Sequence, residues 1–196
     1  EGPNTGGMGA FSPVPFFSTD LENQIQNKIL LPTLTGLHQK KIFYRGFLFL
    51  GLIVDEDEQA QLIEYNCRLG DPETQCILSR LKTPLPLLME NQSSANFLNE
   101  TSLNVVIAAK GYPEDPAKDF VLDGLDVLDR KGLEVIHSGT KKNADGKWMA
   151  SGGRLFSLLA RGKSVEECRR QIYPLLNDLS FREMVHFRTD IGVKQI

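Results

Sequence analysis

The stretch Glu64-Tyr65-Asn66-Cys67-Arg68-Leu69-Gly70-Asp71-Pro72-Glu73-Thr74-Gln75 changes backbone character twice within a few residues. Residues 62–67 read as a strand. Alternation along it puts Glu64, Asn66 and Arg68 on one face and Tyr65 and Cys67 on the other. Gly70-Asp71-Pro72 breaks the strand, and residues 73–81 take up a helical pattern with a proline just ahead of it. Asp71 is placed to cap that helix. Glu64 and Asn66 offer hard oxygen ligands of the kind magnesium takes, and a guanidinium such as Arg68 can grip a phosphate with two donors. On pattern alone, the simpler reading is a solvated strand face carrying one Glu–Arg pair.

Upstream, residues 41–54 are rich in aromatic and aliphatic side chains and read as a second strand. The acidic run Asp55-Glu56-Asp57-Glu58 makes the tip of an antiparallel hairpin between the two. Thr19 stands three residues before Glu22 in a capping-box spacing, and Leu21, Ile25 and Ile29 recur at helical intervals. A helix therefore starts near Asp20, and Pro32 is expected to kink it or end it early. Residues 1–15, rich in Gly and Pro, read as an ordered loop. Within them, Gly2-Pro3-Asn4-Thr5-Gly6-Gly7-Met8-Gly9 has the glycine content that lets backbone N–H groups approach an anion. No Lys-Ser/Thr follows, so it is not a Walker loop. A structural turn and a ligand-binding loop both remain open.

Downstream, a polar stretch over 91–101 separates the two halves. Strands are expected over 105–109, 133–136 and 153–160, with a loop over 111–119. Ser164 and Glu167 form a second capping box, ahead of a helix carrying Val165, Cys168, Ile172, Leu175 and Leu176. His137-Ser138-Gly139-Thr140 and Ser151-Gly152-Gly153-Arg154 are turn-like, and either could line a cleft. The expected architecture is α+β in two parts, 1–101 and 102–196.

Composition narrows the function classes. The 196 residues are 41% apolar and 24% charged, with 17 Gly and 10 Pro, as in globular proteins and unlike disordered or collagenous chains. With 22 basic and 25 acidic residues, the formal charge is -3, and no basic field exists to attract nucleic acid or an anionic membrane. The longest apolar stretch, 47–54, is too short to span a bilayer. Cys67, Cys76 and Cys168 match no zinc spacing, so the expected compartment is reducing and cytoplasmic. No secretory leader is legible, and a start at Glu1 leads us to expect a piece of a longer protein.

Several blocks taken together carry a resemblance. They are Gly2-Pro3-Asn4-Thr5-Gly6-Gly7-Met8-Gly9-Ala10, Arg45-Gly46-Phe47-Leu48, the 64–75 stretch, Ala109-Lys110-Gly111-Tyr112-Pro113, His137-Ser138-Gly139-Thr140, Gly152-Gly153-Arg154 and Arg188-Thr189-Asp190-Ile191-Gly192. In this order they resemble the glycinamide ribonucleotide synthetase (phosphoribosylamine–glycine ligase) family of the ATP-grasp superfamily. The resemblance implies the C-terminal half of an ATP-grasp core followed by a small α+β C-terminal domain. It implies ATP, glycine and 5-phosphoribosylamine as small-molecule substrates, a place in purine biosynthesis, and the N-terminal half of the same enzyme as partner. It further implies Glu64 and Asn66 as ligands of magnesium or manganese, and Arg68 as a catalytic residue near the reacting acyl phosphate. Asn4, Thr5, Gly6, Gly7, Met8 and Gly9, with Asp71 and Glu73, are implied on the substrate side. The family's lid and N-terminal domain would lie before Glu1, and Leu69 stands where the family has Phe. Another ATP-grasp carboxylate–amine ligase is the alternative within enzymes. A non-catalytic fragment binding a partner or a phosphate ligand is the alternative outside them.

Overall fold

The computed structural model describes residues 3, 5–90, 92–129 and 133–193. The chain begins with strand β1 (Gly9–Ser12) and helix α1 (Thr19–Ile25), which runs through a π-helical turn (Gln26–Leu30) into α2 (Leu31–Gln39). Strands β2 (Phe49–Val54) and β3 (Ala60–Asn66), helices α3 (Glu73–Arg80) and α4 (Leu85–Met89) and strand β4 (Thr101–Ala109) follow. Then come α5 (Leu125–Asp129), β5 (Glu134–His137), β6 (Thr140–Lys142), β7 (Trp148–Ala150), β8 (Arg154–Gly162), α6 (Val165–Asn177) and β9 (Val185–His186). These elements form two compact units, one from residues up to Pro13 together with those from Asp71 onward, the other Val14–Gly70.

The first unit is organised by β4. Its residues Ser102 to Ala109 are all buried, which explains why its sequence is a near-continuous apolar run. The antiparallel sheet runs β1-β4-β8-β5, and β9 adds to the same β4 edge as β1. β1 takes the first part of that edge, Gly9 opposite Val105 to Ser12 opposite Ser102, and β9 takes Ala108 and Ala109. One face of β4 (Leu103, Val105, Ile107, Ala109) packs with Val165, Cys168, Ile172 and Leu176 of α6. Fully burying a side chain such as Leu, Ile or Val there contributes about 1.5–3 kcal/mol. On the alternate face, Ser102 Oγ donates to the Cys76 carbonyl at 2.9 Å and Asn104 Nδ2 to the Pro72 carbonyl at 3.4 Å, which seats α3. α6 starts at Ser164, whose hydroxyl accepts from the Glu167 N–H at 3.2 Å, as its capping box predicts. Burial pushes the Cys76 thiol up to about 12 and the Cys168 thiol up to about 11, so both stay protonated.

The second unit is a hairpin with helices. β2 and β3 pair from Phe49 opposite Asn66 to Val54 opposite Ala60, with a bulge between Gly51 and Leu52. The acidic tip is a turn, as expected, in which Asp55 Oδ1 accepts from the Asp57 and Gln59 N–H groups. Gln24 of α1 stitches helix to hairpin, donating to the Glu58 carbonyl at 3.2 Å and accepting from the Ala60 N–H at 2.6 Å.

Four expectations are corrected. The opening segment is not loop throughout, because residues 9–12 form β1 by pairing with β4. The first helix is capped by Ser18, whose hydroxyl accepts from the Leu21 N–H at 3.1 Å, and not by Thr19. Pro32 does not end the helix. A π-helical turn absorbs it, in which the Leu31 N–H reaches the Gln26 carbonyl five residues back, and α2 runs on to Gln39. The strand over 41–54 begins only at Phe49, since Lys41 (φ 57°) and Gly46 (φ 150°) have left-handed backbone and the Tyr44 hydroxyl closes a local turn onto the Phe47 carbonyl at 2.6 Å. The compact units divide the chain at 13/14 and 70/71, because β1 and α3 pack against β4.

Candidate functional site

The glycine loop and the Asp71 turn meet in the first unit. A Cβ on Gly7 would sit 2.3 Å from Pro72 Cδ and 3.0 Å from the Asp71 carbonyl, so only hydrogen fits. Met8 is buried against Val106 and Ala108, and its carbonyl accepts from the Val106 N–H at 3.0 Å. Gly9 opens β1. Arg154, the first residue of β8, joins loop and turn. Its Nη1 donates to the Gly7 and Asp71 carbonyls, each at 3.1 Å, and its Nη2 to Asp71 Oδ2 at 2.6 Å. Asp71 Oδ1 accepts from Gln75 Nε2 at 3.1 Å. Both carboxylate oxygens of Asp71 are therefore engaged in holding the turn, and α3 begins behind Pro72 without a side-chain cap. Glu73 is the first residue of α3 and half-buried. Asn4 lies outside the described residues.

Beside this loop a cleft of about 650 Å³ is lined by Thr5, Tyr112, His186, Arg188, Thr189 and Asp190, among others. Tyr112 and His186 stack with ring centroids 6.4 Å apart. Arg188 grips Asp190 with two donors, Nε at 2.8 Å and Nη2 at 2.5 Å. That contact lowers the Asp190 carboxyl to about 2 and raises the Arg188 guanidinium. α6 fixes the backbone here. Arg169 donates to the Thr189 and Ile191 carbonyls, and the Tyr173 hydroxyl to the Arg188 carbonyl at 2.9 Å.

In the second unit β3 brings Glu64 and Asn66 together, with Asn66 Nδ2 donating to Glu64 Oε1 at 2.8 Å. Gly51 lies opposite Glu64, and a Cβ there would come within 3.0 Å of Glu64 Cγ. The hydrogen bond leaves Glu64 Oε2 and Asn66 Oδ1 as oxygen donors. Two such oxygens could hold part of the shell of magnesium or manganese, since Mg²⁺ commonly takes one or two protein oxygens and completes its shell from other groups. Among the described residues no group of three or more His, Cys, Asp or Glu side chains forms a self-sufficient metal cage. The expected third member of the face is corrected. β3 ends at Asn66, so strand alternation does not extend to Arg68, which is exposed and donates from Nη1 to the Leu69 carbonyl at 3.0 Å.

Sequence comparison supplies the family. Residues 1–74 match the model of the phosphoribosylglycinamide synthetase ATP-grasp (A) domain, and residues 102–194 match that of the same enzyme's C domain. The chain belongs to the phosphoribosylglycinamide synthetase family. Family members similar to it include the phosphoribosylamine–glycine ligases of Vibrio parahaemolyticus, 39% identical over all of this chain, and of Listeria innocua, 40% identical over 99% of it. The chain spans 47% of each. Among solved structures, the phosphoribosylamine–glycine ligase of Thermotoga maritima superposes with a TM-score of 0.72 at 30% identity, over 96% of this chain and 46% of that one. A biotin carboxylase from Campylobacter jejuni reaches 0.56 at 13% identity, over 92% of this chain and 39% of its own, and shares the ATP-grasp fold alone. The family's C-terminal ATP-grasp half and its small α+β domain are thus the fold of this chain. No helix among the described residues is long and apolar enough to cross a membrane.

Residue reading had left Arg154, Tyr112, His186, Arg188 and Asp190 without a role. Arg154 ends the turn-like stretch Ser151-Gly152-Gly153-Arg154, and the Arg188–Asp190 block is visible only as part of the family pattern.

Proposed function

We propose that this chain is the C-terminal portion of an ATP-dependent ligase that joins glycine to 5-phosphoribosylamine, giving glycinamide ribonucleotide, ADP and phosphate in purine biosynthesis. The observation that carries this reading is the pair of family matches, in order, over both parts of the chain. In the reaction, a glycine carboxylate oxygen bonds to the γ-phosphorus of ATP as the bond to ADP breaks, leaving glycyl phosphate. The amine of phosphoribosylamine then bonds to the acyl carbon, phosphate leaves, and the amine loses a proton.

On this reading Glu64 and Asn66 hold magnesium or manganese. The metal supplies charge neutralisation at the ATP phosphates. Arg68 contacts the acyl-phosphate region as charge moves through it. Its exposed guanidinium and the hydrogen-bonded Glu64–Asn66 pair support these roles. Thr5, Gly6, Gly7, Met8 and Gly9 (with Asn4), Asp71 and Glu73 form the substrate side, supported by the tight seating of Gly7 on Pro72. Residues 1–101 belong to the ATP-grasp catalytic domain and 102–196 to the C domain, supported by a first family match over 1–74 and a second that begins at 102. The partner of this chain is the N-terminal half of the same enzyme. We read the compartment as cytoplasmic, which the free thiols of Cys67, Cys76 and Cys168 support.

The test is ADP release by the purified full-length enzyme with ATP and magnesium, omitting glycine or phosphoribosylamine in turn. Release that requires both is expected. Release that proceeds without phosphoribosylamine, or no release with all three present, overturns the reading.

A further inference from the structure

We infer that the cleft lined by Thr5, Tyr112, His186, Arg188, Thr189 and Asp190 is a binding site for a five-carbon sugar phosphate, with the phosphate at Arg188 and the two threonine hydroxyls and the ring hydroxyls at Asp190. The inference rests on the reading above, in which phosphoribosylamine is a substrate, and adds where its sugar phosphate is held. At about 650 Å³ the cleft is within the range of small-molecule sites.

Its chemistry is mixed in the way such a ligand requires. Arg188 spends Nε and Nη2 on Asp190, and Nη1 is its nitrogen with no hydrogen bond among the described residues. A guanidinium nitrogen in that state can donate to phosphate. Asp190 is acceptor-only when ionised, and the pairing with Arg188 keeps it so. An ionised carboxylate is suited to accept from vicinal hydroxyls. The stacked Tyr112 and His186 rings give a flat wall for the sugar face. Arg169 and Tyr173 hold the 188–191 backbone from α6, so little ordering is left to be lost on binding. Thr5 ties the cleft to the loop that Arg154 anchors through Gly7.

The experiment uses the full-length enzyme with ribose 5-phosphate as a non-reacting probe in titration calorimetry, beside steady-state kinetics for all three substrates. Arg188→Gln and Asp190→Asn are each expected to weaken ribose 5-phosphate, and to raise KM for phosphoribosylamine, by about 10- to 100-fold, with glycine and ATP constants moving less than about twofold. Thr189→Val leaves the Arg188–Asp190 pair intact and is expected to give the same pattern at about threefold to tenfold. It keeps the test decisive if the other variants melt early. Wild-type affinity for ribose 5-phosphate in all three variants, or equal rises in all three Michaelis constants, overturns the proposal. Loss of probe binding in Arg188→Gln from an enzyme with no ligase turnover would uphold the cleft and overturn the ligase reading instead.

Discussion

Replacing Arg154 with Met keeps the aliphatic stem and deletes the guanidinium, so three acceptors lose their donor together. They are the Gly7 and Asp71 carbonyls, each at 3.1 Å, and Asp71 Oδ2 at 2.6 Å. The Asp71 side chain is 50% exposed, so water resolvates it and the ion pair itself is worth about 0–1 kcal/mol. The two carbonyl bonds are charge-assisted, but they come from a side chain that is 25% exposed, and together they add about 1 kcal/mol. A total of about 1–2 kcal/mol lowers Tm by about 3–8 °C in a unit of this size. Activity is expected to fall further than stability. Arg154 is the tether between the glycine loop and the Asp71 turn, and a shift of about 1 Å in a positioning element can cost about 100-fold in rate. Arg154→Lys is expected to recover more of the melting temperature than of the turnover, because an ammonium serves Asp71 but cannot span three acceptors. Scanning calorimetry and steady-state kinetics on the full-length enzyme measure both quantities. An Arg154→Met enzyme that melts and turns over like wild type would refute the tether.

Three further outcomes follow from the same geometry. Glu64→Gln keeps the hydrogen bond to Asn66 but loses the charge, so activity should drop while a raised magnesium concentration restores part of it and Tm hardly changes. An unaltered magnesium dependence assigns Glu64 a structural part only. Asp190 has its folded carboxyl at about 2 against an ordinary 3.8, so its contribution to stability is whole above pH 3.8 and is lost as pH falls through 2. The Tm gap between wild type and Asp190→Asn should hold nearly steady from pH 8 to pH 4 and shrink below it, and a gap undiminished at pH 2 excludes the Arg188 pair as its source. Iodoacetamide at pH 8 should modify exposed Cys67 in the native protein and reach buried Cys76 and Cys168 only in denaturant, as read by peptide mapping.

Patterns that rest on near neighbours were legible in the sequence. The hairpin, the α3 start behind Pro72, the Ser164 cap and the shared face of Glu64 and Asn66 all depend on residues within a few positions of one another. β1 was not legible, because residues 9–12 become a strand only through Ser102 to Val105. The aromatic run 41–48 satisfied strand propensity but breaks at Lys41 and Gly46, where a positive φ overrides it. The common strand face of Glu64 and Asn66 could be read from alternation. The Arg154–Asp71 clamp spans 83 positions, and no local pattern announces it. Arg188 and Asp190 sit two apart, but the cleft that gives the pair meaning also needs Thr5 and Tyr112.

The edge of β4 is divided between β1 and β9, and this sets an order of events during synthesis. β4 can take up β1 as soon as it leaves the ribosome, but Ala108 and Ala109 wait for Val185 and His186. At usual elongation rates residue 185 is added roughly 4–15 s after residue 109. For that interval a strongly apolar strand carries an open end, the kind of edge that recruits foreign strands. Nascent chains arrested with β9 still inside the ribosome are expected to be cut by protease near β4. Chains that have released β9 should resist. Among the described residues, the last strand in chain order is the one that completes this edge of β4.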